Sequence, residues 1–136
     1  MMVTLLTASM LSIPPLVGHF ETPVERFIQA IMYAGVITSL FFWHCPRRES
    51  IQSKMDSWIV KSGFIFIFVY TILFRGISRK RRNVALFFTV CGLVAWYRSH
   101  ANSRGEQWCS DAHLNAHALV HLFGILTLFI IFYRLE

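Results

Sequence analysis

Five apolar runs, interrupted by short polar links, constrain this chain more than anything else in it. They cover residues 3–17, 24–43, 58–74, 83–97 and 112–133. A helix that crosses a bilayer needs about 20 apolar residues, with ~17–25 common. The second and fifth runs meet that length. The third meets it when Lys61 snorkels to the surface beside Trp58. The fourth is short and needs its flanks or a locally thinned bilayer. The first is short too, and Pro14–Pro15 predict a kink or an end to its helix. It lacks the basic flank of a secretory signal, so a retained span is expected. Lipid offers no partner to an unpaired backbone group, which leaves helices or a closed barrel. Strand alternation is absent. The expected fold is therefore all-α: a polytopic transmembrane bundle of about five helices, in one domain over residues 1–136.

Composition agrees. Of 136 residues, 55% are hydrophobic and only 15% charged, against about 25% charged in soluble domains. The net charge of +6 is concentrated. Arg75, Arg79, Lys80, Arg81 and Arg82 lie within eight residues, between two apolar runs. No nucleic-acid module accompanies them, so nucleic acid is not an expected partner. A cytoplasmic segment meeting anionic headgroups is the simpler reading, with Arg79, Lys80, Arg81 and Arg82 as topology signal or headgroup contacts. With five spans, that side also receives Arg26 and Arg134. The opposite side receives Arg47, Arg48, Lys54, Arg98 and Arg104. This bias favours an external N-terminus and a cytoplasmic C-terminus. The runs do not identify which membrane. Cys91 reads as a small apolar filler. Cys45 and Cys109 fall on one side, where a disulfide is possible but not specified by sequence.

The ionisable groups converge on one leaflet. His44 closes the second run, Asp56 precedes the third, and His113, His117 and His121 open the fifth. Ser110–Asp111 supplies an N-cap for that last helix. Residues four apart share a helix face, about 6 Å apart along the axis. His117 and His121 can thus hold one metal together, and His44 is the candidate third ligand of a zinc site. Asp56 could then orient a ligand or the metal-bound water. His113 reads as a solvated residue of the first turn, with a ligand role as the lesser alternative. The blander readings are interhelical hydrogen bonding for His117 and His121, and helix capping for Asp56. Glu21, Glu25 and Arg26, at the other leaflet, are expected to pair at the interface.

Three stretches carry a resemblance: "TSLFFWH" (38–44), "MDSW" (55–58) and "HALVH" (117–121). In this order they resemble the CREST superfamily, which includes alkaline ceramidases, progestin and adipoQ receptors, and post-GPI-attachment phospholipases. "HALVH" is similar to the ceramidase form in particular. The resemblance implies a seven-helix bundle in which three His hold zinc. It also implies an Asp and a Ser near the metal-bound water, and hydrolysis of a lipid amide or ester. Here the carry-over gives His44, His117 and His121 as Zn²⁺ ligands and Asp56 as the catalytic carboxylate that positions the water or shuttles its proton, with Ser39 as a lesser catalytic candidate. Two features depart from the pattern. The chain has room for about five spans, a reduced form of the seven. The family's Ser stands four residues before its first His, whereas Leu40 holds that position here. Ser39 lies one residue further back, rotated well off the His44 face.

Two other classes remain open at this stage. One is a non-catalytic structural subunit of a larger membrane assembly, such as a respiratory complex or an enveloped particle. The other is a haem-binding membrane anchor, with His44 paired to His117 or His121. Membrane lipids are the expected partners, joined under the structural-subunit reading by other subunits of a membrane complex.

Overall fold

The computed structural model describes residues 2–44, 47, 49–73, 76–103 and 108–133. Expectations resting on Cys45, Arg48, Arg75, Arg104 and Arg134 fall outside them, the Cys45–Cys109 pairing included. The described residues form helices α1 (Met2–Met10), α2 (Ile13–Val17), α3 (Pro23–His44), α4 (Ile51–Leu73), α5 (Arg79–Asn102) and α6 (Asp111–Phe132). No strand occurs among them. Helices α3 to α6 are long and apolar enough to cross a membrane, whereas the Met2–Val17 segment is shorter. The chain is an all-helical bundle with the character of a multi-pass membrane protein.

Local chemistry sets the helix ends. A reciprocal capping box starts α3. The Glu25 N–H donates to Thr22 Oγ1 at 3.2 Å, and the Thr22 N–H donates to Glu25 Oε2 at 3.0 Å. Pro23 follows as the first helical residue, where its missing N–H costs nothing. Ser50 caps α4 by accepting from the Ser53 N–H. Asp56 is therefore in the second turn of α4 and is not its cap. Ser110 caps α6 by accepting from the His113 N–H, and Asp111 suits the first turn of that helix dipole.

The fourth apolar run belongs to a longer helix than its hydropathy suggests. Ser78 accepts from the Arg81 N–H and starts α5 at Arg79. The helix has 24 residues, so no thinned bilayer is needed. The basic cluster is thus the first turn of α5. Positive charge at a helix N-terminus opposes the dipole. Arg81 offsets this by reaching the end of the neighbouring helix. Its Nη2 donates to the carbonyls of Ile130, at 2.5 Å, and Tyr133. Arg81 is thus a cap for α6 and half-buried, while Arg79 and Lys80 stay exposed.

The long helices run alternately up and down. Ile28 and Met32 near the start of α3 pack with Ile67 late in α4, Ala85 early in α5, and Ile131 and Phe132 at the end of α6. At the other end, Phe42 and Trp43 pack with Leu114, and Leu5 and Trp108 flank them. Helix α5 pairs extensively with α6, and α3 with α4. Gly63 permits the close α3–α4 approach, since a Cβ there would stand 3.0 Å from Ile31. By contrast, α4 makes only sparse contact with α5 and α6 among the described residues. The N-terminal segment bridges the two hairpins: α1 packs on both α6 and α3. It breaks at Leu11–Ser12, before the buried Pro14–Pro15 pair. The Pro15 carbonyl, left free because α2 ends at Val17 and the His19 N–H turns to the Phe132 carbonyl, accepts from Gln29 Nε2 at 2.7 Å.

Candidate functional site

The antiparallel order brings four helix ends together. The end of α3, the starts of α4 and α6, and the end of α5 border a polar cleft of about 140 Å³. Asp56, Lys61, Ser99, His113, His117 and His121 line it, with Trp43, Trp96 and Trp108 as aromatic walls. The expected convergence of Asp56 and the three α6 histidines on one end of the bundle is therefore found.

Asp56 and Ser39 meet inside the bundle. Ser39 is fully buried on α3, and its Oγ donates to Asp56 Oδ1 at 2.5 Å. Asp56 is buried too, at 5% exposure, and it lines the cleft while Ser39 stands behind it.

Each α6 imidazole uses its Nδ1. His121 Nδ1 lies 3.0 Å from Thr7 Oγ1 on α1, and His117 Nδ1 lies 3.2 Å from Ser99 Oγ on α5. His113 Nδ1 accepts from the Cys109 N–H at 3.1 Å. The rings of His117 and His121 are 4.7 Å apart and nearly perpendicular. His113 is buried at 3% exposure against Trp108, with ring centroids 4.9 Å apart. The expectation of a solvated His113 is thus corrected. The turn through Trp108 and Cys109 folds back against His113 and covers its ring.

His44 is not brought to this site. It is exposed at the end of α3 and does not line the cleft. Its neighbour Trp43 points inward instead, is fully buried, and lies 4.5 Å from His117 by ring centroids. Its indole N–H has no hydrogen-bond partner among the described residues. Among those residues, no three of His, Cys, Asp and Glu are grouped to hold one metal ion. The site supplies the His117–His121 pair and a nearby carboxylate, but not the expected three-imidazole set.

The cleft continues into apolar space. A cavity of about 160 Å³ between α4 and α5 is lined by Phe64, Ile65, Gly92 and Leu93, and shares Val60, Lys61, Trp96 and Val120 with the cleft. Lys61 stands at the junction, its Nζ 5.5 Å from the Trp96 ring centroid, close enough for a cation–π contact. The sparse α4–α5 packing thus leaves a lateral path from the bundle's apolar surface to its polar end.

Burial also raises the thiol pKa of Cys109, outside the helices. Its backbone is left-handed, with φ 59°, which aims its N–H at His113. Sequence reasoning did not single out Thr7, Ser99, Trp43 or Trp108 as members of this site. Comparison with family models, with curated proteins and with solved structures gives no match to this chain.

Proposed function

We propose that this multi-pass membrane protein receives the polar end of an acyl lipid in its cleft and hydrolyses an amide or ester there. This reading keeps the resemblance to the CREST superfamily as its frame. The observation that carries it is the buried Ser39–Asp56 hydrogen bond beside the cleft that His117 and His121 line. A Ser, an Asp and a His-x-x-x-His pair on three helices are the family's set apart from one histidine. Packing alone gives little reason to bury a carboxylate here, since intramembrane ionisable groups are costly and tend to serve function. The lateral cavity between α4 and α5 suits a substrate arriving from the lipid.

Within the cleft, each group has a chemical task open to it. Asp56, held by Ser39, can accept a proton from water or anchor a lipid hydroxyl. The imidazoles can exchange protons with the reacting carbonyl or the leaving group. Zinc belongs to this reading as the family's cofactor, and His117 and His121 are the residues that would hold it. The described residues do not complete its ligand set. Four residues beyond Ser39, where the family has its first His, this chain has Trp43.

Purified protein assayed against a fluorescent ceramide and a fluorescent acyl ester tests the proposal. Product formation that Asp56→Asn abolishes supports it. No turnover by the wild type on either substrate, with or without added zinc, overturns it.

A second reading has a specific observation behind it. Trp43 fills the space beside His117 with an apolar ring, which suits a non-catalytic structural subunit that has kept the fold of such a site. Its signature would be a chain free of zinc and of activity, wedged among other subunits. Haem ligation draws no support from this geometry, because His44 is exposed outside the cleft.

A further inference from the structure

The polar contacts around α6 fix more than the positions of its histidines. Thr7 Oγ1 lies 3.0 Å from the Val3 carbonyl and 3.2 Å from the Thr4 carbonyl. A carbonyl only accepts, so these contacts use the single hydroxyl proton of Thr7. The third contact of the same oxygen, to His121 Nδ1, is then a hydrogen bond only if the imidazole donates. With the hydroxyl proton placed on those carbonyls, His121 would carry its own proton on Nδ1 and leave Nε2 as a lone pair. His113 is the reverse case. The Cys109 backbone N–H can only donate, so His113 Nδ1 is the acceptor. Its proton sits on Nε2. Among the described residues Ser99 has no second contact to fix its proton, so His117 is left outside this assignment.

We infer that His121 and His113 hold opposite tautomers, and that Thr7 on the N-terminal helix is a positioning residue of the cleft through His121. The cleft is thereby polarised along α6. Eight residues, or about 12 Å of helix, separate an N–H donor at His113, next to Trp108, from a lone-pair acceptor at His121, next to α1. A ligand with a hydrogen-bond acceptor towards the turn at Trp108 and a transferable proton or an electrophilic cation towards α1 fits both ends. The Nε2 of His121 is then the site that accepts a hydrogen bond from a neutral ligand, and the Nε2–H of His113 the one that gives a hydrogen bond to its oxygen. The inference concerns the same cleft as the proposed hydrolase, but it depends on neither activity nor metal.

The test is nuclear magnetic resonance of the full chain in detergent micelles, with ¹⁵N-labelled histidine and no substrate or metal. Two-bond nitrogen–proton correlations distinguish the tautomers, and His113→Gln and His121→Gln identify the signals. The expected result is Nδ1–H for His121 and Nε2–H for His113. Thr7→Val should move His121 into a mixture or to Nε2–H, Thr7→Ser should restore Nδ1–H, and His113 should not change. Nε2–H at His121 in the wild type overturns the assignment. An Nδ1–H signal untouched by Thr7→Val removes Thr7 from the role. Should Thr7→Val not fold, the wild-type and Thr7→Ser spectra decide the tautomer alone. A chain without hydrolytic activity that still shows both tautomers would sink the functional reading and leave this one standing.

Discussion

Trp43 rests on His117 with ring centroids 4.5 Å apart, while the adjacent His44 faces outward. An indole, and not the His44 imidazole, is therefore what α3 presents to His117. Trp43→His tests that relationship directly. It should tighten zinc binding by about tenfold or more over the wild type, equivalent to ~1.4 kcal/mol, read by competition with a zinc-sensitive dye. His44→Ala should leave zinc binding where it was. An unchanged affinity in Trp43→His would show that Trp43 does not occupy a ligand position.

The Ser39–Asp56 hydrogen bond sets a stability expectation. Ser39→Ala leaves a buried carboxylate without its donor, a loss of about 1–3 kcal/mol. Thermal unfolding in detergent should show a lower midpoint. Combining Ser39→Ala with Asp56→Asn should cost less than the sum of the two single changes, because each removes the same bond. Strict additivity would argue against the contact.

Arg81 predicts a contrast within the basic turn. Arg81→Gln removes a charged cap from the last carbonyls of α6 and should cost about 0.3–1 kcal/mol, up to ~2 in a partly buried setting. Arg79→Gln, at an exposed position, should stay within about 0.5 kcal/mol of the wild type. Equal effects in unfolding measurements would mean that the two arginines share a role at the surface.

Cys109 gives a pH expectation outside the helices. Burial raises its thiol pKa, and the thiolate is the reactive form. At neutral pH its share of thiolate is below that of an ordinary cysteine. Maleimide labelling of a Cys45→Ser, Cys91→Ser background should therefore be slower than for a short cysteine peptide. The rate should keep rising with pH after the peptide's has levelled off. Labelling as fast as the peptide at pH 7 would contradict the burial.

Much of the bundle was readable because hydropathy and helix length are one-dimensional signals. The four long helices, their alternation and the shared end for Asp56 and the α6 histidines follow from run lengths and parity. The length of α5 did not, because its polar ends are helical through Ser78 capping and not through hydropathy. The face of α3 was misjudged at a single residue. Ile28, Met32, Val36, Ser39 and Trp43 repeat at three- and four-residue steps and form its buried stripe. His44 lies five residues from Ser39, about 140° around the helix, so the two cannot both face inward. That periodicity was in the sequence and outranked the motif. The exposure expected for His113 failed for another reason: the turn at Trp108 and Cys109 that covers it is a tertiary feature, invisible to helical spacing. Thr7 was out of reach too, because nothing local tells a threonine in a short apolar helix that an imidazole will lie beside it.

That last contact has a consequence for how the protein is made. Thr7 and His121 are 114 positions apart, and α1 leaves the ribosome long before α6 does. Until then the face of α1 that meets α6 has nothing to pack on. The polar cleft is accordingly a late product of translation, finished only when the final helix enters beside the first.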